Sequence, residues 1–85
     1  MRYMLKMTWK QPPNEEVMAL MPAEQARVKE LIDQGVQEVS YLAADKSTAW
    51  VVWECASQDE VQETLQTLPM HDFFDTGISP LADED

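Results

Sequence analysis

Thr48 to Cys55 reads Thr-Ala-Trp-Val-Val-Trp-Glu-Cys, and seven of these eight residues are β-branched, aromatic or small and apolar. The stretch contains neither Gly nor Pro. That composition suits a strand buried on both faces. Side chains alternate along a strand, so Ala49, Val51, Trp53 and Cys55 face one way and Trp50, Val52 and Glu54 the other. A tryptophan on each face means that each face needs a cover. A central strand is therefore expected here, with the rest of the chain supplying two layers around it.

The remaining elements follow from pattern. Tyr3, Leu5, Met7 and Trp9 alternate with Met4, Lys6, Thr8 and Lys10, which predicts a first strand. Gln11-Pro12-Pro13 ends it, because proline removes ladder donors and fixes φ. Asn14 is an N-cap, and Glu15 and Glu16 favour the helix dipole. The helix that follows is predicted to run to about Gln34, with Gly35 as its stop and a kink or restart near Leu20–Pro22. Its apolar stripe is Val17, Met21, Val28, Leu31 and Gly35, flanked by Leu20 and Ile32. Glu24 occupies the missing place in that stripe. A carboxylate there either reaches solvent or a lysine, or serves as a general base or acid in a pocket.

Val36 to Ala43 is predicted as a second strand, with Val39, Tyr41 and Ala43 on one face and Glu38, Ser40 and Leu42 on the other. Ala44-Asp45-Lys46-Ser47 turns the chain into the central strand. Ser57-Gln58-Asp59-Glu60 is a capping box opening a short helix with Val61, Leu65 and Leu68 inward, ended by Pro69. Phe73 to Ser79 makes the last strand, closed by Pro80. The order β-α-β-β-α-β is the ferredoxin-like pattern: an α+β fold with a four-stranded antiparallel sheet and two helices on one face. One domain over residues 1–81 is expected, followed by an acidic tail, 82–85.

Parity assigns Tyr3, Leu5, Met7, Trp9, Val39, Tyr41, Ala43, Ala49, Val51, Trp53 and Cys55 to the helix side. The opposite face mixes Lys6, Thr8, Glu38, Ser40 and Glu54 with Met4, Leu42, Trp50 and Val52. Such a face is a sticky patch on a monomer. Pairing two of them in a homodimer, a dimeric α+β barrel, would bury it and enclose an apolar cavity with a few polar groups, the composition of a small-molecule site.

The chain carries 16 acidic and 6 basic residues, a formal charge of −10. That excludes nucleic acid, whose phosphates demand a Lys/Arg surface, and disfavours an anionic membrane. No run is long enough for a signal peptide or a bilayer span, so a cytoplasmic location is expected. The lone cysteine, Cys55, forms no internal disulfide and no metal cluster, and reads as a small core residue. No metal-ligand spacing, Ser–His–Asp set or phosphate loop is visible, and His71, the single histidine, reads as a loop or rim residue.

These residues resemble the muconolactone Δ-isomerase family. The resemblance rests on Lys6-Met7-Thr8 with Lys10 and Pro12, on Glu24, Leu31 and Gly35, and on the acidic Glu54. It continues through Leu68-Pro69-Met70, Phe73 and Asp75 to Pro80-Leu81. It implies a cofactor-free enzyme that shifts a proton along an unsaturated lactone acid, with Glu24 as base, Lys6 holding a substrate carboxylate and Thr8 donating a hydrogen bond. Glu38, Ser40, Trp50 and Glu54 complete the expected ligand-binding set. The run Val36 to Leu42 lacks the basic residues of the family, and Glu38 there would favour a neutral or cationic ligand over an anionic one. Two other functions remain open on the residues alone: a barrel that binds a small molecule without turnover, and an acidic module that engages a basic protein.

Overall fold

The computed structural model describes residues 1–82, so the expected acidic tail lies outside the described residues apart from Ala82. The elements are β1 (Arg2–Trp9), α1 (Glu15–Met18), α2 (Met21–Asp33), β2 (Gln37–Leu42), β3 (Thr48–Glu54), α3 (Gln58–Gln66), a 3-10 turn (His71–Phe73) and β4 (Phe74–Pro80). The strands form one sheet in the order β2-β3-β1-β4, with every neighbour antiparallel. This is the split β-α-β topology expected from the sequence.

Local chemistry accounts for the breaks. Asn14 Oδ1 accepts from the Val17 N–H at 2.9 Å and caps α1, which lasts a single turn. The chain then restarts as α2 with Pro22 in its first turn, where a missing N–H leaves no intrahelical bond unmade. Gly35, at φ +78°, ends α2. The Val36 N–H bonds back to the Leu31 carbonyl at 2.8 Å and the Gly35 N–H to that of Ile32 at 3.0 Å, a closure that requires a left-handed residue between. Ser57 Oγ accepts from the Glu60 N–H and caps α3 as the capping-box pattern predicts, although Glu60 returns its carboxylate to the Ala56 N–H.

One face of the sheet carries the core. Tyr3, Leu5 and Met7 of β1 and Val51 and Trp53 of β3 pack with Cys55, with Leu31 of α2, and with Val61 and Leu68 from the α3 segment. Both long helices therefore cover the same face. Trp53, Leu5, Leu31, Met70 and Val61 are the largest side chains fully removed from solvent.

The second strand departs from its expected parity. Gln37 pairs with Trp53, but Val39 pairs with Val52, so Glu38 is an extra residue in a β-bulge. One inserted residue exchanges the faces of everything after it. Ser40 and Leu42 therefore share the helix side with Val51 and Ala49, while Val39 and Tyr41 join Val52 and Trp50 on the open side. The expected assignment of Val39 and Tyr41 under the helices, and of Ser40 and Leu42 opposite, is corrected accordingly.

Candidate functional site

The bulge leaves room beneath α2. Ser40 is a small side chain and Leu42 ends an edge strand, so the sheet offers little bulk to meet the helix there. The result is a cavity of about 1030 Å³, bounded by Met21, Glu24, Gln25, Val28, Lys29 and Ile32 of α2. The sheet side is Met7, Gln37, Ser40, Ala49, Val51 and Trp53, with Trp9 and Phe74 at one end. The Trp9 and Phe74 rings stack with centroids 4.2 Å apart. Met18, Ile32 and Leu42 also border it and stay 44%, 52% and 61% exposed, so the opening has an apolar rim. An apolar cleft with a few polar groups is what a small organic ligand requires. It lies on the helix side of the sheet, not on the open face where pairing of two sheets was expected to create it.

Glu24 sits in the first turn of α2 and is half-buried. Its Oε1 accepts from the Met70 N–H at 2.9 Å, a contact across 46 residues of chain that ties α2 to the segment after α3. Burial pushes the Glu24 carboxyl above the ordinary carboxylate range, and the Met70 N–H and a charge on His71 only partly oppose it. His71 Nδ1 donates to the Leu68 carbonyl at 2.8 Å, and Nε2 lies 3.1 Å from Asp72 Oδ1. A carboxylate that is poorly solvated and borders an apolar cleft can take a proton from carbon and return it.

Of the other residues singled out in the sequence, Thr8 and Ser40 border the same cavity as Glu24. Lys6, Glu38, Trp50 and Glu54 do not. Lys6 and Trp50 are paired across β1 and β3 on the open face. Glu38 is the exposed bulge residue, so its charge is not presented to the cavity. Glu54 holds the N-terminal amine at 2.9 Å. Three lysines, Lys10, Lys29 and Lys46, border the cavity against the carboxylates of Glu24 and Asp45, so its mouth is less acidic than the chain as a whole.

Gln37 was not singled out by the sequence. It is 8% exposed, borders the cavity, and its Oε1 accepts from Trp53 Nε1 at 3.1 Å. Its signal was a polar residue opposite the central tryptophan, but only the paired register makes the two neighbours. Cys55 is 4% exposed and unpaired, and burial, with Glu60 and Glu54 nearby, pushes its thiol up; it is a core residue without nucleophilic character. Among the described residues no group of three or more His, Cys, Asp or Glu side chains could hold a metal ion, and no helix is long and apolar enough to cross a membrane.

The fold is that of a small ferredoxin-like α+β protein with an apolar cleft between its sheet and α2. The chain belongs to the muconolactone delta-isomerase family, whose model matches residues 1–85. Among solved structures it is similar to muconolactone isomerase, with a TM-score of 0.84 at 22% identity, covering 99% of this chain and 91% of that one. It is also similar to the 5-chloro-2-hydroxyhydroquinone dehydrochlorinase TftG from Burkholderia phenoliruptrix AC1100, solved with 2,5-dihydroxybenzoquinone. There the TM-score is 0.79 at 17% identity, covering 99% and 96% of the two chains. At such identities the likeness is one of fold. No curated protein matches the chain.

Proposed function

We propose that the protein is a cofactor-free proton-transfer isomerase acting on a small unsaturated lactone or a related compound, with Glu24 as the proton carrier. The observation that carries this reading is a half-buried carboxylate with a raised pKa at the edge of an apolar cleft large enough for such a ligand. The Glu24 carboxylate removes a proton from carbon acidified by the adjacent unsaturated carbonyl. The electron pair delocalises onto the carbonyl oxygen, and the carboxylic acid returns the proton one double-bond shift away. No net oxidation occurs, and the proton count closes: Glu24 takes one proton and returns one, exchanging with solvent while it is protonated. Thr8 and Ser40 contribute hydrogen bonds at the cavity border. Family membership supports the reaction class.

The test is turnover of muconolactone and of neutral butenolides, followed by NMR across pH. The base must be ionised, so the rate should rise with pH through an apparent pKa above the ordinary carboxylate value of 4.5. A rate that is already at its plateau at pH 4.5 would remove Glu24 from the role.

The same reading includes a homodimer formed through the open sheet face. Tyr41 is 61% exposed there beside the half-buried Val39 and Trp50, an apolar set that water solvates poorly. Sedimentation should give twice the chain mass of 9.8 kDa, and Tyr41→Lys should shift it towards the monomer. A native protein that sediments as a monomer at tens of micromolar would end this part of the proposal. A cytoplasmic location accompanies it, in keeping with a single unpaired cysteine.

A further inference from the structure

Gln37 combines three properties that rarely coincide in a residue with only a packing role. It is more than nine-tenths buried, it borders the cavity, and its carboxamide is used on one side only. The orientation of that amide follows from its partner. An indole N–H is a donor and never an acceptor, so the atom 3.1 Å from Trp53 Nε1 must be the Gln37 oxygen. Trp53 is 1% exposed and clamped in the core, so it holds the amide in one of its two flips. The amide nitrogen, with two N–H donors, makes no hydrogen bond to any described residue. Gln37 Nε2 is not sealed from solvent, so its N–H donors are open to an acceptor that arrives in the cavity.

We propose that Gln37 is the specificity-determining residue of the cleft, its carboxamide N–H groups donating to an oxygen acceptor on the ligand at the end of the cavity away from Glu24. This rests on the reading of the cleft as the site of proton transfer. Glu24 lies in the first turn of α2, and Gln37 follows the last. At about 1.5 Å per residue the helix between them is on the order of 14 Å long. Trp53 acts as a positioning residue through Gln37. Because Gln37 is neutral, it selects for the acceptor and not for its charge; the lysines at the mouth, Lys10 and Lys46, admit an anionic one.

The test uses the full-length protein with ¹⁵N-labelled glutamine and two probes, muconolactone and 5-ethylfuran-2(5H)-one, which keeps the ring but lacks the acceptor on the side arm. Muconolactone should displace the Gln37 side-chain NH₂ resonances, and the ethyl compound should leave them near their free positions. Gln37→Met should weaken muconolactone binding about tenfold and leave the ethyl compound unchanged. Gln37 resonances that neither probe moves, or equal muconolactone affinity in Gln37→Met, would overturn the assignment. Deuterium uptake from D₂O, read on the same samples, separates the two proposals. Glu24-dependent uptake with a silent Gln37 removes only the specificity role, and a responsive Gln37 without uptake removes only the proton transfer.

Discussion

Glu24→Gln should lower proton transfer by about 10²–10⁴-fold, the usual worth of a positioned general base, while raising thermal stability at neutral pH. The two effects have one cause. Burial disfavours the Glu24 carboxylate in the folded protein, so the folded state holds the proton more tightly than the unfolded chain does. The stability associated with that proton is fully present below the unfolded value of about 4.5 and is lost as pH rises through the raised folded value. Glutamine cannot ionise, and its oxygen still accepts from the Met70 N–H, the contact that closes α2 onto the segment after α3. Native and variant melting temperatures should therefore nearly coincide at pH 4 and separate towards pH 8, the variant being the higher. A variant equally destabilised at both pH values would mean that Glu24 is a structural strut and not a functional base.

The second large effect is at Trp53. Trp53→Ala should cost about 3–5 kcal/mol, because a tryptophan at 1% exposure leaves a large void when truncated. It also removes the donor to Gln37 Oε1, leaving that buried oxygen without a partner. A domain of this size has a total stability on the order of 4–13 kcal/mol, so the variant should be largely unfolded in mild denaturant. Trp50→Ala, on the open face and only half-buried, should cost far less in the monomer. Urea titration of both variants distinguishes them, and equal losses would contradict the division of the two tryptophans between core and open face.

How far the fold could be read from residues depended on how local its signals were. Asn14, Pro22, Gly35 and the Ser57–Glu60 capping box each act within a turn of chain, and each predicted boundary lies within a residue or two of the observed one. Strand alternation likewise sorted β1 and β3 correctly, because their pairing runs unbroken from Arg2 opposite Glu54 to Thr8 opposite Thr48. It failed in β2. Val39-Ser40-Tyr41-Leu42 alternates equally well in either phase, and the Glu38 bulge that fixes the phase depends on pairing with β3. That single residue moved Ser40 and Leu42 under α2, opened the cleft there, and removed Glu38 from it. Glu24 was conspicuous as a carboxylate in an apolar stripe. Its partner at Met70 was not, being 46 residues away and a backbone group without a sequence signature. Gln37 was invisible for a related reason, since only the register places a donor-bearing indole against its oxygen.

The central claim, that Glu24 moves protons on carbon within this cleft, is tested most directly by deuterium uptake. The protein is incubated in D₂O with muconolactone and with neutral butenolides, and exchange at the ring carbons is followed by NMR beside Glu24→Gln. Exchange by the native protein that falls by about 10²-fold or more in the variant is the predicted result. Exchange that persists undiminished in Glu24→Gln, or no exchange with any lactone while the ligands still bind, would contradict it and leave a binding cleft without this chemistry.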